Sequence, residues 1–333
     1  KTTRVPLALA DAPWASGKIV VLEPRRIAAR AAAERMASTL GETLGESIGL
    51  RARLASKTGP RVRIEVVTEG VFTRMILDDP ELKGVAAVLF DEFHERSLDA
   101  DLGLALALDA QQALRPDLRL LVMSATLDGA RVARLLGDAQ VIESEGRAFP
   151  VEVRYRPRTA ARLEDDVADA ILQALKTDTG SILAFLPGQG EIVRTAERLA
   201  ERIDDLNVDI APLYGALPPA AQDRAIAPPP PGRRKIVLAT AIAETSLTIE
   251  GVRVIVDSGL QRVPRFEPDI GVTRLETVRV SRAAADQRQG RAGRTQSGVC
   301  YRLWSAPETQ GLLPFSVPEI RTADLAGLVL DCA

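Results

Sequence analysis

The chain has 333 residues, 46% of them hydrophobic and 26% charged, with a formal net charge of −2. A chain of that length suggests two domains and buries a core easily. It carries no apolar run of about 18 residues, which excludes a membrane span, and its two cysteines, Cys300 and Cys332, exclude a disulfide framework or zinc pattern and fit a reducing cytoplasm. The slightly acidic balance and 4% aromatic content argue against a broad basic footprint or extensive base stacking. Any nucleic-acid binding then needs a local channel that grips phosphates without reading bases.

Lys1-Thr2-Thr3-Arg4-Val5-Pro6 looks like the tail of a phosphate-binding loop, whose pattern ends in Gly-Lys-[Ser/Thr]. In that pattern the lysine pairs with the β- and γ-phosphates and the threonine hydroxyl ligates Mg²⁺. The glycine-rich part is expected ahead of Lys1, so the N-terminus is expected to be truncated. Lys18–Leu22 reads as a strand, followed by an Ala/Arg-rich helix from about Arg26 to Leu40. Val62–Val67 leads to Thr68-Glu69-Gly70 and another helix. The apolar run Val85–Phe90 is expected to be a buried parallel strand. Asp91-Glu92-Phe93-His94 then falls at the carboxyl end, where open α/β sheets bind ligands. One carboxylate there can hold Mg²⁺ and the next can take a proton from water. A strand at 119–123 ends in Ser124-Ala125-Thr126. This βαβα alternation predicts a parallel sheet covered by helices.

A second set of elements follows Gly146-Arg147-Ala148-Phe149-Pro150. Strands are expected at Ser181–Leu186, Val208–Leu213, Arg234–Ala239, Val252–Val256 and Gly298–Trp304, with helices at 164–176 and 189–203. The strand at 234–239 runs into Ala239-Thr240-Ala241-Ile242-Ala243-Glu244-Thr245-Ser246-Leu247-Thr248-Ile249-Glu250-Gly251. Its hydroxyls can bond phosphate oxygens or a neighbouring domain. Extended stretches at 260–267 and 272–280, joined by Pro268-Asp269-Ile270-Gly271, read as a β-hairpin. In Gln287-Arg288-Gln289-Gly290-Arg291-Ala292-Gly293-Arg294 the density of arginine and glycine argues against a core helix. Arg291 and Arg294, three apart, are expected to point the same way on a helical turn, which suits two guanidiniums reaching one triphosphate.

Taken singly, these stretches are ordinary: an acidic turn, a basic turn, hydroxyls that cap helices. In this order, Asp-Glu-Phe-His, Ser-Ala-Thr, Ala-Glu-Thr-Ser-Leu-Thr-Ile and Gln-Arg-x-Gly-Arg-Ala-Gly-Arg resemble the motif series of superfamily 2 helicases, in the DEAH/RHA branch. Thr-Thr-Arg-Val-Pro-Leu-Ala-Leu at the start, Ala-Phe-Leu-Pro-Gly at 184–188 and Arg-Ala-Ile-Ala-Pro at 224–228 are similar to bacterial HrpB-type helicases.

The resemblance implies an α/β fold of two tandem RecA-like domains at 1–146 and 164–315, a linker at 147–163, and the start of a truncated winged-helix region at 316–333. It also implies ATP and Mg²⁺. Lys1, Thr2 and Thr3 would hold phosphates; Thr2, Asp91 and Glu92 would surround the metal; Glu92 would activate water. Gln287, Arg291 and Arg294 resemble the glutamine and two arginine fingers that act on the γ-phosphate, and Ser246 and Thr248 join the nucleotide set. Residues from two halves imply hydrolysis only when the domains close. The family sandwiches adenine between an arginine, matched by Arg35, and an aromatic, replaced here by Ile226. Weak base selectivity follows, so other NTPs should serve. Ala241 stands where relatives usually carry asparagine.

Arg25 and Arg26, Thr68 and Gly70, and Thr240 resemble strand-gripping residues, and the hairpin would project beside the nucleic-acid channel. His94, Ser124 and Thr126 are read as coupling residues. The leading expectation is a cytoplasmic, monomeric RNA-helicase motor core moving 3′-to-5′ on single-stranded nucleic acid, RNA ahead of DNA. Its rival is an ATPase clamp or scaffold that remodels complexes without unwinding. Protein partners are not legible.

Overall fold

The computed structural model describes residues 1–332 except 54, 126–128, 145–148, 160–161, 245–246 and 248. The chain divides into two compact units, Lys1–Glu143 with Val317–Ala333, and Ser144–Ser316.

In unit 1 the strands are β1 (Lys18–Glu23), β2 (Ile48–Ala52), β3 (Ala55–Lys57), β4 (Ile64–Thr68), β5 (Val85–Phe90) and β6 (Arg119–Val122). They form one sheet in the order β3-β2-β4-β1-β5-β6. Every pairing is parallel except β2 with β3. The helices are α1 (Arg4–Ala10), α2 (Arg26–Leu40), α3 (Glu69–Asp78), α4 (Leu98–Ala113) and α5 (Gly129–Leu135). Val20, Leu22, Val88 and Phe90 pack with α3 and α4 through Phe72, Ile76, Leu104 and Ala107. Ile19, Val21, Ala87 and Leu89 pack with α2 through Ala33, Met36 and Ala37. Alternate side chains of one strand thus enter two cores on opposite faces, and β5 is buried along its whole length. Burying each large apolar side chain stabilises by roughly 1.5–3 kcal/mol, which fixes the register of the strand that carries Asp91.

Because β1, β4, β5 and β6 run parallel, their carboxyl ends share one edge of the sheet. That edge gathers Pro24-Arg25-Arg26, Thr68-Glu69-Gly70, Asp91-Glu92 and Ser124-Ala125. The ladder continues past the strand ends: Asp91 donates to Leu22 O at 3.1 Å, Met123 to Phe90 O at 2.8 Å, and Phe93 to Met123 O at 3.2 Å. The C-terminal residues add a 3₁₀ turn at Glu319–Arg321. Glu319 accepts the Leu98 N–H through Oε2 at 2.9 Å and donates its own N–H to Arg96 O at 3.0 Å.

Unit 2 has β7 (Val151–Tyr155), β8 (Ser181–Phe185), β9 (Val208–Leu213), β10 (Arg234–Ala239), β11 (Val252–Asp257) and β14 (Gly298–Arg302) in one sheet, ordered β7-β14-β11-β8-β10-β9. All its pairings are parallel. The stretch 147–163, expected as a connection, therefore holds an edge strand of this sheet. Helices α6 (Leu163–Thr177), α7 (Gln189–Ala200), α8 (Pro219–Ile226), α9 (Arg282–Gly290) and α10 (Ala306–Gln310) belong to this unit, and α11 (Ala326–Asp331) belongs to unit 1. The hairpin is β12 (Leu260–Glu267) with β13 (Val272–Arg279), antiparallel with Glu267 opposite Val272. Gly271 takes φ of 65° in its turn, a conformation that glycine enters without steric cost.

Candidate nucleotide and strand site

In unit 1 the acidic motif forms a tightly held turn. Asp91 is buried at 6% exposure. Its Oδ1 accepts the Glu92 N–H at 2.9 Å, while its Oδ2 is buried with no hydrogen-bond partner among the described residues. A buried carboxyl oxygen left so is costly and suits a hard cation such as Mg²⁺, which takes one or two carboxylates and fills its remaining positions with phosphate and water. Among the described residues no group of three or more His, Cys, Asp or Glu is arranged to hold a metal by itself.

Glu92 is left-handed, at φ 50° and ψ 33°, and Arg96 likewise at φ 52° and ψ 45°; between them Phe93–Glu95 make a 3₁₀ turn. Neither is glycine, and such conformations cost about 1–3 kcal/mol each, a strain that concentrates at functional sites. The surroundings hold it in place. Phe93 is buried against Phe90, edge-on at 6.4 Å, and Arg96 forms a bidentate pair with Asp101, both contacts at 3.0 Å. Ser97 caps α4 by accepting from Ala100 at 3.1 Å and donates to Glu69 at 2.6 Å. His94 Nδ1 lies 3.6 Å from Glu92 Oε2 and accepts from the Ala125 N–H at 3.5 Å. Lys1 Nζ donates to Ser124 O at 2.9 Å, and the Lys1 carbonyl accepts from Arg4 and Val5 at 3.1 and 3.0 Å. Lys1, Asp91, Glu92, His94 and Ser124 are therefore gathered at one sheet edge, with half-buried Thr2 and Thr3 entering α1.

The strand-gripping candidates share that edge. Arg25 is the N-cap of α2, and its Nη2 lies 3.0 Å from Glu95 Oε2. Arg26 is exposed; Thr68 is half-buried and Gly70 exposed at the start of α3. A Cβ on Gly70 would stand 3.2 Å from Asp99 Oδ2. Glu69, between them, turns inward: burial pushes its carboxyl up to about 7, against the hydrogen bond from Ser97, and the charges of Glu95, Asp99 and Glu319 add to the rise. Arg35 is exposed on α2.

In unit 2 the arginine motif departs from the expectation of a coreless basic turn. Helix α9 runs through Arg288, which is 1% exposed. Its guanidinium binds Glu244 and Asp257 at 2.9 Å each and Leu260 O at 3.3 Å, and lies 4.8 Å over the Phe185 ring. Burial opposes its charge, but the Asp257 and Glu244 carboxylates outweigh that and hold its pKa above the usual arginine range.

Helix α9 ends at Gly290, and the chain goes on in successive i→i−3 turns through Gly293. Arg291 is buried and donates to the Glu244 and Leu247 carbonyls, while Arg294 is exposed. Gln287 is half-buried, and its Nε2 has no partner among the described residues. Thr240, at the end of β10, caps a 3₁₀ turn over Ala241–Ala243, and Ile226 is the half-buried last residue of α8. Thr126, Ser246 and Thr248 lie outside the described residues.

Glu69, Glu95, Glu244 and Arg288 each sit inside or beside a motif legible in the sequence, but their pairings with Ser97, Arg25 and, for the last two, each other are not visible there.

Residues 166–296 match the family described as "Helicase conserved C-terminal domain". Over 99% of its length the chain is 54% identical to the ATP-dependent RNA helicase HrpB of Escherichia coli strain K12, of which it spans 41%. It is 38% identical, again over 99% of its length, to the pre-mRNA-splicing factor ATP-dependent RNA helicase prp22 of Schizosaccharomyces pombe, of which it spans 29%. A crystal structure of the E. coli DEAH/RHA helicase HrpB matches the whole chain at TM-score 0.95 and 53% identity, with 42% of that protein covered. The chain thus spans about two fifths of the length of HrpB, and its resemblance to DEAH/RHA-branch helicases of the HrpB type is borne out. So is the α/β fold with parallel sheets.

Proposed function

We propose that this chain forms the motor core of an ATP-dependent RNA helicase, hydrolysing ATP with Mg²⁺ and moving along single-stranded nucleic acid. The observation that carries the reading is the shared sheet edge of unit 1. Strand-gripping candidates Arg25, Arg26, Thr68 and Gly70 stand beside Asp91 and Glu92 on parallel strand ends of one rigid sheet. Asp91, with Thr2, holds Mg²⁺ at the phosphates approached by Lys1. Glu92 takes the proton of the attacking water. Gln287, Arg291 and Arg294 orient and neutralise the γ-phosphate, and Arg291 exchanges neutral carbonyl partners for charged oxygens, which bind a guanidinium more strongly. Ser246 and Thr248 complete the nucleotide set, and Arg35 and Ile226 flank a base read loosely, so other NTPs serve. His94, Ser124 and Thr126 couple strand and nucleotide.

Phosphate gripping by Arg25, Arg26, Thr68, Gly70 and Thr240 is independent of base sequence and weakens with salt. RNA is preferred to DNA, travel is 3′-to-5′, and strand binding stimulates hydrolysis. The protein acts in the cytoplasm as a monomer. The hairpin supports unwinding over static clamping: its tip exposes Ile270, Val272 and Leu275 at 51%, 47% and 67%, side chains fit to wedge between separating bases. The division we favour is 1–146 as one RecA-like domain and 164–315, with the edge strand β7 at Val151–Tyr155, as the other, with the residues from 316 leading into a winged helix.

Glu92→Gln tests the hydrolytic core. It keeps size and hydrogen bonding but removes the base, so turnover in the full-length protein should fall about 10²-fold or more while nucleotide binding persists in calorimetry. Near-parental turnover would remove Glu92 from the mechanism. If the parent displaces no strand from tailed RNA or DNA duplexes in either polarity, the clamp becomes the better reading.

A further inference from the structure

We propose that Glu95 is a positioning residue that carries occupancy of the strand site at Arg25 to the hydrolytic turn at Glu92, a role that rests on the reading of Arg25 as a phosphate contact and Glu92 as the base. Three observations converge on it. Glu95 shares a single 3₁₀ turn with Glu92, closed by the Glu95 N–H to Glu92 O at 2.9 Å and the Arg96 N–H to Phe93 O at 3.2 Å. Two left-handed residues bracket that turn, at Glu92 and Arg96, so its ends cannot shift independently without leaving a narrow backbone basin. The Glu95 carboxylate reaches out of the turn to Arg25, seventy residues away in sequence, at 3.0 Å.

The pair is partly sheltered, with side-chain exposures of 28% for Arg25 and 18% for Glu95. It is close enough to solvent for a phosphate to approach and buried enough to escape full screening. A guanidinium takes carboxylate and phosphate oxygens in the same fork geometry. A strand phosphate at Arg25 therefore draws on the cation that Glu95 holds in this structure. The carboxylate that loses part of its partner is fixed to the turn carrying Glu92. Neighbouring bonds give the turn few other ways to respond. Ser97 is tied to Glu69 at 2.6 Å, Arg96 to Asp101, and Phe93 to Met123. The ion pair of Glu95 runs from this turn to a strand-gripping candidate.

The test compares E95Q, E95D and R25A in the full-length protein. It measures basal hydrolysis, hydrolysis at saturating single-stranded RNA, and RNA affinity by fluorescence anisotropy. E95Q keeps the side-chain shape but gives up the charge. Its basal rate should stay within about twofold, its RNA affinity should hold or tighten because Arg25 has lost a competing anion, and its RNA stimulation should fall about fivefold or more, the low end of usual coupling between sites. E95D, which retains the charge, should recover part of the stimulation. R25A should lose RNA affinity. Parental stimulation in E95Q, with R25A weakened for RNA, overturns the proposal and leaves the strand reading standing. A fall in the basal rate of E95Q as large as in its stimulated rate also overturns it, since Glu95 would then only hold the turn. If R25A binds RNA like the parent, the strand reading of Arg25 fails and takes the proposal with it.

Discussion

Glu69→Gln should stabilise unit 1 at neutral and alkaline pH and leave it unchanged in mild acid. Glu69 is 8% exposed in the first turn of α3, and burial, assisted by Glu95, Asp99 and Glu319, lifts its carboxyl from 4.5 to about 7 against the pull of Ser97. The folded state therefore holds this proton more tightly than the unfolded chain. The stabilisation it brings is fully present below about pH 4.5 and is lost as pH rises through about 7. The difference, 7 − 4.5 = 2.5, multiplied by 1.36 kcal/mol per pH decade, is roughly 3 kcal/mol. Glutamine cannot ionise and still accepts the Ser97 hydroxyl. Above pH 8 the variant should exceed the parent by up to roughly 3 kcal/mol, or about 6–12 °C in melting temperature for a unit of this size. Near pH 4.5 the two should agree within about 0.5 kcal/mol. Thermal melts followed by circular dichroism across pH 4 to 9 would measure this. A variant curve parallel to the parent's across that range would show that Glu69 does not titrate in this window, and the burial argument would fall.

Two further outcomes bear on unit 2. Arg288→Ala removes the cation between Glu244 and the fully buried Asp257, and stranding a buried carboxylate this way should destabilise by about 3–5 kcal/mol, read as a lowered urea midpoint; an unchanged midpoint would mean that the pair contributes nothing net. Shortening the hairpin around Pro268–Gly271 should lower strand displacement several-fold and leave strand-stimulated hydrolysis largely intact; equal displacement would reduce the hairpin to a sheet extension.

Much of the fold was legible because parallel strands announce themselves. Val85–Phe90 has no polar residue, and only a strand covered on both faces tolerates that pattern. The hairpin was legible from Pro268-Asp269-Ile270-Gly271, whose turn chemistry separates two extended runs. Strand β7 was passed over between Pro150 and Pro157, yet Val151-Glu152-Val153-Arg154-Tyr155 alternates with the period of a half-buried strand. The stretch is short and lies within the expected linker at 147–163. Of the candidate site, the grouping of Asp91, Glu92 and Ser124 at one edge follows from the parallel order of the strands they follow, a property the apolar runs already carry, whereas Lys1 precedes α1 and joins them through its bond to Ser124 O.

Side-chain direction within the motifs was not legible, and there the reason is pairing at long range. Arg288, Arg291 and Arg294 occupy eight residues of similar composition with Gln287, yet one is core, one is turned onto backbone carbonyls and one faces solvent. Arginine enters a core only when anions already wait there. The anions for Arg288, Glu244 and Asp257, stand 44 and 31 residues upstream. The same holds for Glu95, whose partner lies 70 residues back. A local pattern dictates which strand end a motif reaches, because burial of the preceding run fixes it. It cannot dictate which charged member of the motif turns inward, because that choice is made by a second motif arriving from elsewhere in the chain. Residues that join two motifs are therefore the ones a linear reading leaves without a role, and they are the natural carriers of coupling between a strand site and a hydrolytic one.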